Sequence, residues 1–278
     1  MDGYRDFIGL GIAGNFALHL AQAGEEEDFK EIITADEAAP KGMFPFYLPK
    51  QVEEAKDILN TFPLSNSLIK LPNQDLNIQA EPEVALICDL QYTNGTLSKI
   101  TPTYFAAYND CSIRVAGASK ISDKKNWGEN SKGLSKSLIK IDKFSHGSII
   151  DNYSICSFLK RDNHIHAYGE DVELEGYSYF YEKLLDWMVS QINTQENFGP
   201  LEPLNRYISI CQNPAKAIIS IGATRYTLYG ETTFLKKGDE IIIILYNRTK
   251  TTPDSILESI KNNSYNLLDA SILKQKVI

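Results

Sequence analysis

Apolar positions in this chain follow two periods. Over residues 177–192, Tyr177, Phe180, Tyr181, Leu184, Leu185, Met188, Val189 and Ile192 recur at i, i+3, i+4, i+7, i+8, i+11, i+12 and i+15. Such a stripe lies on one face of a helix and predicts an amphipathic helix that must pack on something. A shorter helix is predicted at 51–60. Another is predicted from Thr252-Pro253-Asp254, where Thr252 supplies a capping hydroxyl and Pro253 suits the first helical position. Short apolar runs predict strands at Val84–Cys88, Tyr153–Phe158, Ile218–Ile221 and Glu240–Tyr246. The last is apolar on both faces, so it belongs at the centre of a sheet. Asn94-Gly95 and Lys236-Lys237-Gly238-Asp239 mark turns. Strands spread along the whole chain, with few helices between them, predict a β-rich α+β fold in one domain, residues 1–278.

Composition narrows the function classes. The 278 residues are enough for a sizeable core, and 43% hydrophobic with 23% charged residues is ordinary globular usage. The net charge is −8 and no polybasic run occurs, which argues against nucleic acid and anionic membrane surfaces as partners. Apolar runs such as Ile241–Tyr246 are too short to span a bilayer, and Met1–Asp6 shows no signal-peptide pattern. Cys88, Cys111, Cys156 and Cys211 have neither metal-site nor disulfide spacing and are read as buried thiols. The expectation is a cytoplasmic protein.

Four patterns could carry chemistry. Gly9-Leu10-Gly11-Ile12-Ala13-Gly14 reads GxGxxG, but no parallel βαβ pattern follows, and the glycines are read as a flexible turn. His164 and His166 could face one metal from a strand, yet no third ligand is near, which favours a surface hairpin. Lys120, Lys124 and Lys125 beside Trp127 could form a basic–aromatic patch for anions, but a loop near the mouth of a site, in contact with an anionic substrate, is favoured. Glu81-Pro82-Glu83 opens a strand, where alternation points both carboxylates at one spot. Such a pair is either a solvated strand end or a site for a hard divalent cation, with Asp110 available as a third oxygen donor.

Glu81–Ile87 resembles the E-x-E-plus-strand motif of the fumarylacetoacetate hydrolase superfamily. Further segments are similar to that family's motifs in the same order. They are YFAAYNDCSIR at Tyr104–Arg114, NSKGLSKS at Asn130–Ser137, and Ile218–Asp239, ending in FLKKGD. Ile8–Glu25, with Asn15 through His19 in register, looks like the family's opening, and Gly42–Phe46 follows it. The resemblance implies a mixed β-roll, or β-sandwich-like, fold with few peripheral helices. Residues 1–50 would form an N-terminal lid or entry segment, and residues 145–215 an enlarged segment carrying the 177–192 helix.

The resemblance also implies roles. Glu81, Glu83 and Asp110 would hold Mg²⁺, or else Mn²⁺ or Ca²⁺. Lys132, with Lys136 as fallback, would be the active-site lysine, and His19 the general base. Asn15, Arg114, Gly222 and Thr224 would contact substrate or support the loops that do. The implied activity is hydrolysis or decarboxylation at a C–C bond of a small anionic 2-oxo or 1,3-diketo acid. A hydratase or isomerase of an unsaturated 2-oxo acid is the alternative, and a non-catalytic metabolite-binding relative is the rival. A homodimer is expected from the resemblance only. Three departures matter. Gln22 stands where the family has the glutamate that completes a His–Glu dyad, and it could orient the imidazole but not raise its basicity. Glu25 is six positions from His19 and off its helix face. Ala223 or Thr224 occupies the family's threonine position, depending on a one-residue shift.

Overall fold

Asn94 and Gly95 both take positive φ, 52° and 80°. That is the backbone a two-residue hairpin turn needs, and it joins the strands Pro82–Thr93 and Thr96–Asn109. The computed structural model describes residues 1–34 and 36–278. This hairpin is the middle of its main, eight-stranded sheet. On one side lie Lys216–Ser220, Ile8–Ala13 and Gly42–Tyr47 in that order, and on the other Lys132–Leu134 and Leu64–Ser65. Ile8–Ala13 runs parallel to Lys216–Ser220, so the first and last thirds of the chain share one sheet.

A five-stranded sheet packs against it, in the order His164–Glu173, Tyr153–Arg161, Glu240–Asn247, Ala270–Val277 and Leu68–Ile69. Glu240–Asn247 is paired on both sides and buried after Glu240, as its apolar faces require. Leu86 and Phe105 of the main sheet meet Ile155, Ile243 and Leu273 of the second in one apolar cluster. Polar ties cross the same junction. Ala107 N donates to Ser271 Oγ (3.0 Å), and Asn109 Nδ2 donates to Gln275 Oε1 (3.0 Å). The fold is α+β, as the strand pattern predicts.

The amphipathic stripe forms a helix over Tyr181–Thr194, shorter at its start than 177–192. Phe180 is extended and Tyr181 has φ +51°, so the chain turns sharply there. Tyr177 stacks on Phe180 (5.8 Å) and packs edge-on to Phe16 (5.2 Å); these contacts hold the first aromatics outside the helix. Leu184, Met188 and Ile192 are buried on the main sheet. Asn193 exchanges hydrogen bonds with the Leu97 backbone, and Gln195 does the same with Met43. Residues 145–215 also contain the Tyr153–Arg161/His164–Glu173 hairpin and the helix Leu204–Ile210.

Two other expectations meet corrections. The 51–60 helix reduces to one 3-10 turn, Asp57–Asn60. Leu48 N donates to Leu59 O, and Asn60 Nδ2 donates to Leu48 O and Lys50 O, which closes a loop instead. Gly9 and Gly11 lie inside a strand, not in a flexible turn. A Cβ on either would come within 2.3 Å of the Phe46 or Phe44 ring, so close approach of those rings explains the glycines. The Lys120–Trp127 loop follows its favoured reading and not that of a surface patch, because Lys124 and Lys125 are buried. The helix Pro253–Lys261 starts as predicted, with Thr252 Oγ1 accepting from Ser255 N. His164 and His166 sit on an edge strand after a turn at Asp162 and Asn163, and His166 stacks on Tyr229 (4.2 Å). All four cysteines are buried and free. Among the described residues no helix is long and apolar enough to cross a membrane.

Candidate metal centre

The hairpin that begins at Asn94-Gly95 builds the centre. Its far end pairs Pro82 with Asn109 and Glu83 with Tyr108. Asp110 therefore lies across from Glu81, and Asp110 N donates to Glu81 O (3.0 Å). Asn109 locks this end. Its Oδ1 accepts from Glu81 N and Cys111 N, both at 3.1 Å. Glu81, Glu83 and Asp110 are almost fully buried, and one oxygen from each lies within 4.8 Å of the others.

Buried like charges this close are costly without cations. Four basic side chains provide them. Lys125 Nζ lies 2.5 Å from Glu81 Oε2 and 2.6 Å from Asp110 Oδ2. Arg114 NH2 lies 2.7 Å from Glu81 Oε1, while its NH1 donates to Glu25 Oε1 (2.8 Å). Lys124 Nζ reaches the same Glu25 oxygen (2.8 Å) and Asp28. Lys132 Nζ donates to Asp110 Oδ1 (2.7 Å) and to the Asp110 and Cys111 carbonyls. Glu25, Glu81 and Asp110 thus share four cations, none of which pairs with Glu83.

The balance is uneven. Against the cost of burial, Lys125 and Arg114 hold Glu81 well below the usual carboxylate range. Burial, then the charges of Asp110 and Glu81, hold Glu83 well above it. Glu83 accepts Gly222 N (3.1 Å). Burial also pushes Asp110 up, against Lys125 and Lys132. Glu81 Oε1 and Asp110 Oδ2 have basic neighbours but no aligned hydrogen bond. A converging, all-oxygen donor set with lone pairs left over fits a hard divalent cation.

His19 closes over this centre. It begins the short helix His19–Gln22 after Leu18, whose φ is +69°. Its Nδ1 lies 2.9 Å from Thr224 O. A carbonyl can only accept, so Nδ1 carries the proton and Nε2 the free lone pair. Burial lowers the His19 pKa from 6.5 to about 4, so the ring is neutral near pH 7. With Glu25, Glu81, Glu83, Lys125, Phe44 and Ala223, it lines a cavity of about 10 Å³. That is room for about one water.

Glu81, Glu83, Asp110, Lys132, Arg114 and His19 come together here. Several roles expected of them take a different form. Lys132 spends its ammonium on Asp110 and Cys111, and Lys136 is exposed. The lysine that lines the cavity is Lys125, from the basic loop expected near the mouth of the site. Gln22 makes no hydrogen bond to His19; its amide accepts from Tyr226 N (2.9 Å) and donates to Tyr226 O (3.1 Å). Asn15 holds backbone, not open space, through Tyr179 N, Tyr179 O and Ile221 O. The Thr224 hydroxyl bonds Pro82 O (3.2 Å), and it is Ala223 that faces the cavity. Gly222, at φ +109°, aims its N–H at Glu83. Glu25, off the helix face of His19, re-enters the site through Arg114 and Lys124.

Comparisons with known proteins establish the fold and a family. A model of DUF5718, a family of unknown function, matches residues 25–277. No curated protein matches the sequence. Among solved structures, Cg1458 with an inhibitor aligns at 14% identity and a TM-score of 0.58, covering 98% of this chain and 76% of its own. A putative fumarylacetoacetate hydrolase family protein from Yersinia pestis CO92 aligns at 12% identity and 0.51, covering 98% and 93%. A 5-carboxymethyl-2-hydroxymuconate delta-isomerase from Mycobacterium smegmatis aligns at 12% identity and 0.53, covering 98% and 78%. The architecture is similar to that of these proteins, a fumarylacetoacetate hydrolase family protein among them.

Proposed function

Because the chain belongs to the DUF5718 family, whose function is unknown, and folds like fumarylacetoacetate hydrolases, we propose that it is a divalent-metal-dependent enzyme acting on a small 2-oxo acid. The observation that carries this reading is the carboxylate cluster, two of whose members line one cavity with His19. Three buried carboxylates within 4.8 Å of one another stand beside a neutral imidazole with a free lone pair. Glu81, Glu83 and Asp110 would hold the ion, Mg²⁺ by preference for hard oxygen donors. When bound, it would supply Lewis-acid stabilisation of negative charge developing on the substrate.

The rest is work for this chain's own residues. His19 Nε2 would take or return a proton at the reacting carbon. Ala223 leaves room beside it, and the entry segment excludes water when closed. A base weakened to about 4, and backed by a carbonyl instead of a carboxylate, is poorly suited to activating water. That favours decarboxylation or isomerisation of the 2-oxo acid over C–C hydrolysis. The test is Mg²⁺-dependent decarboxylation of oxaloacetate, with proton exchange at C3 of pyruvate in D₂O followed by NMR. The wild type should do one or both. His19→Ala should lose turnover and keep the metal, and Glu83→Gln should lose both. Metal binding with no turnover of any 2-oxo acid would leave a metabolite-binding protein instead.

A further inference from the structure

The cavity is lined by a lysine that no motif assigns. Lys125 is buried, and its ammonium bridges two of the three candidate ligands, at 2.5 Å from Glu81 Oε2 and 2.6 Å from Asp110 Oδ2. Those are lone pairs a divalent ion would need. Two cations cannot share them without strong mutual repulsion in a site that excludes water. Lys132 does not compete in this way, because its ammonium binds Asp110 through the other oxygen and two backbone carbonyls away from the cavity. Arg114 does contact Glu81, at the other oxygen Oε1 (2.7 Å), but it is anchored outside the cavity lining by Gln79, Glu25 and the Tyr226 hydroxyl. Lys125 alone among these cations lines the cavity, and its ammonium already lies 5.3 Å from the centroid of the Phe44 ring, which lines it too.

We propose that Lys125 is a resident counter-cation of the carboxylate centre, which competes with the divalent ion for Glu81 and Asp110 and, once displaced, meets the anionic group of the substrate. This rests on the metal reading above. In the ion-free protein the lysine neutralises the carboxylates and holds the site closed. On loading, the ammonium moves off the two oxygens and over the Phe44 face of the cavity, where a carboxylate of the incoming 2-oxo acid pairs with it. The lysine therefore weakens the ion's affinity in the absence of substrate and ties tight loading to an anionic ligand.

Calorimetry with Mg²⁺ and with Mn²⁺, each alone, on the full chain tests the competition. Lys125→Met should bind the ion about tenfold tighter or more than wild type, with Lys125→Gln between them. Equal or weaker binding by Lys125→Met overturns the proposal. No binding by wild type or either variant overturns the metal reading instead. A second measurement needs no substitution. Reductive methylation of the wild type, mapped by mass spectrometry, should label Lys125 several-fold more in saturating Mg²⁺ than without it. Labelling unchanged or lowered in the metal-saturated protein overturns the displacement.

Discussion

The Nδ1 of His19 lies 2.9 Å from the carbonyl oxygen of Thr224, and this contact sets the protonation state of the entry segment. The ring must donate there, and burial lowers its pKa from 6.5 to about 4. The closed state thus holds the ring neutral, while an open or unfolded chain takes up a proton as pH falls below about 6.5. A base with a depressed folded pKa contributes stability that is complete above its unfolded value and lost as pH drops towards its folded one. Closure should weaken between pH 6.5 and about 4, by about 3 kcal/mol at the acid end. Hydrogen exchange over residues 14–29, corrected for intrinsic rates, should show opening across that window. Protection that stays flat from pH 7 to 4 would show that His19 is not held neutral.

Lys132 and Asp110 give a prediction of a different kind. Both are fully buried, and the lysine's ammonium is spent on Asp110 and two carbonyls. Lys132→Met would leave Asp110 Oδ1 without its ammonium in a buried site, with Lys125 on the other oxygen only. Removing one partner of a buried pair costs about 3–5 kcal/mol. Denaturant unfolding should record a loss of that size. A variant of unchanged stability would instead mean that Lys132 is free to serve the substrate.

The carboxylate centre is legible in the sequence up to a point set by backbone register. Glu81-Pro82-Glu83 at the head of an apolar strand and the Asn94-Gly95 turn are both visible there. What the turn cannot convey is that the hairpin slips by one residue at Ile87/Cys88 and again at Gln91/Tyr92, and those two bulges bring Asp110 opposite Glu81. The burial of Lys125 is illegible for another reason. Its run, Ser122–Trp127, is polar and looks like exposed loop, and it is drawn inward only by charges contributed from distant segments. A charge count would have hinted at it, since Arg114 and Lys132 alone are too few for Glu25, Glu81, Glu83 and Asp110. The glycines of Gly9–Gly14 misled for a local reason: their spacing matches a phosphate loop, yet two of them serve aromatic rings from the neighbouring strand.

Gly222 joins the entry segment to Glu83. Its φ of +109° is outside the range side chains adopt easily, and a Cβ there would lie 3.0 Å from Asn15 Cβ. Its N–H is the donor to Glu83 Oε2. Gly222→Ala should therefore destabilise the chain by about 1–3 kcal/mol. It should also loosen the metal site, because the residue shift that relieves the clash moves that donor. Thermal unfolding together with Mg²⁺ calorimetry would register both effects; a stable variant with unchanged metal affinity would separate Gly222 from the centre.

Gln22→Glu is the substitution that would appear to restore a His–Glu dyad. The contacts argue otherwise. Gln22 both accepts from Tyr226 N and donates to Tyr226 O, so a glutamate keeps the first bond and loses the second. It would also stand beside Glu231, whose Oε2 is 3.5 Å from the Gln22 amide nitrogen, and two carboxylates at that separation repel. His19 gains nothing, because its Nδ1 is already committed to Thr224 O. The expected outcome is a loss of about 1–2 kcal/mol in stability, easing at acid pH as the new carboxyl protonates. Turnover of 2-oxo acids should not rise. An increase in C–C hydrolysis by Gln22→Glu, with stability kept, would mean that the glutamate reaches the imidazole after the entry segment rearranges.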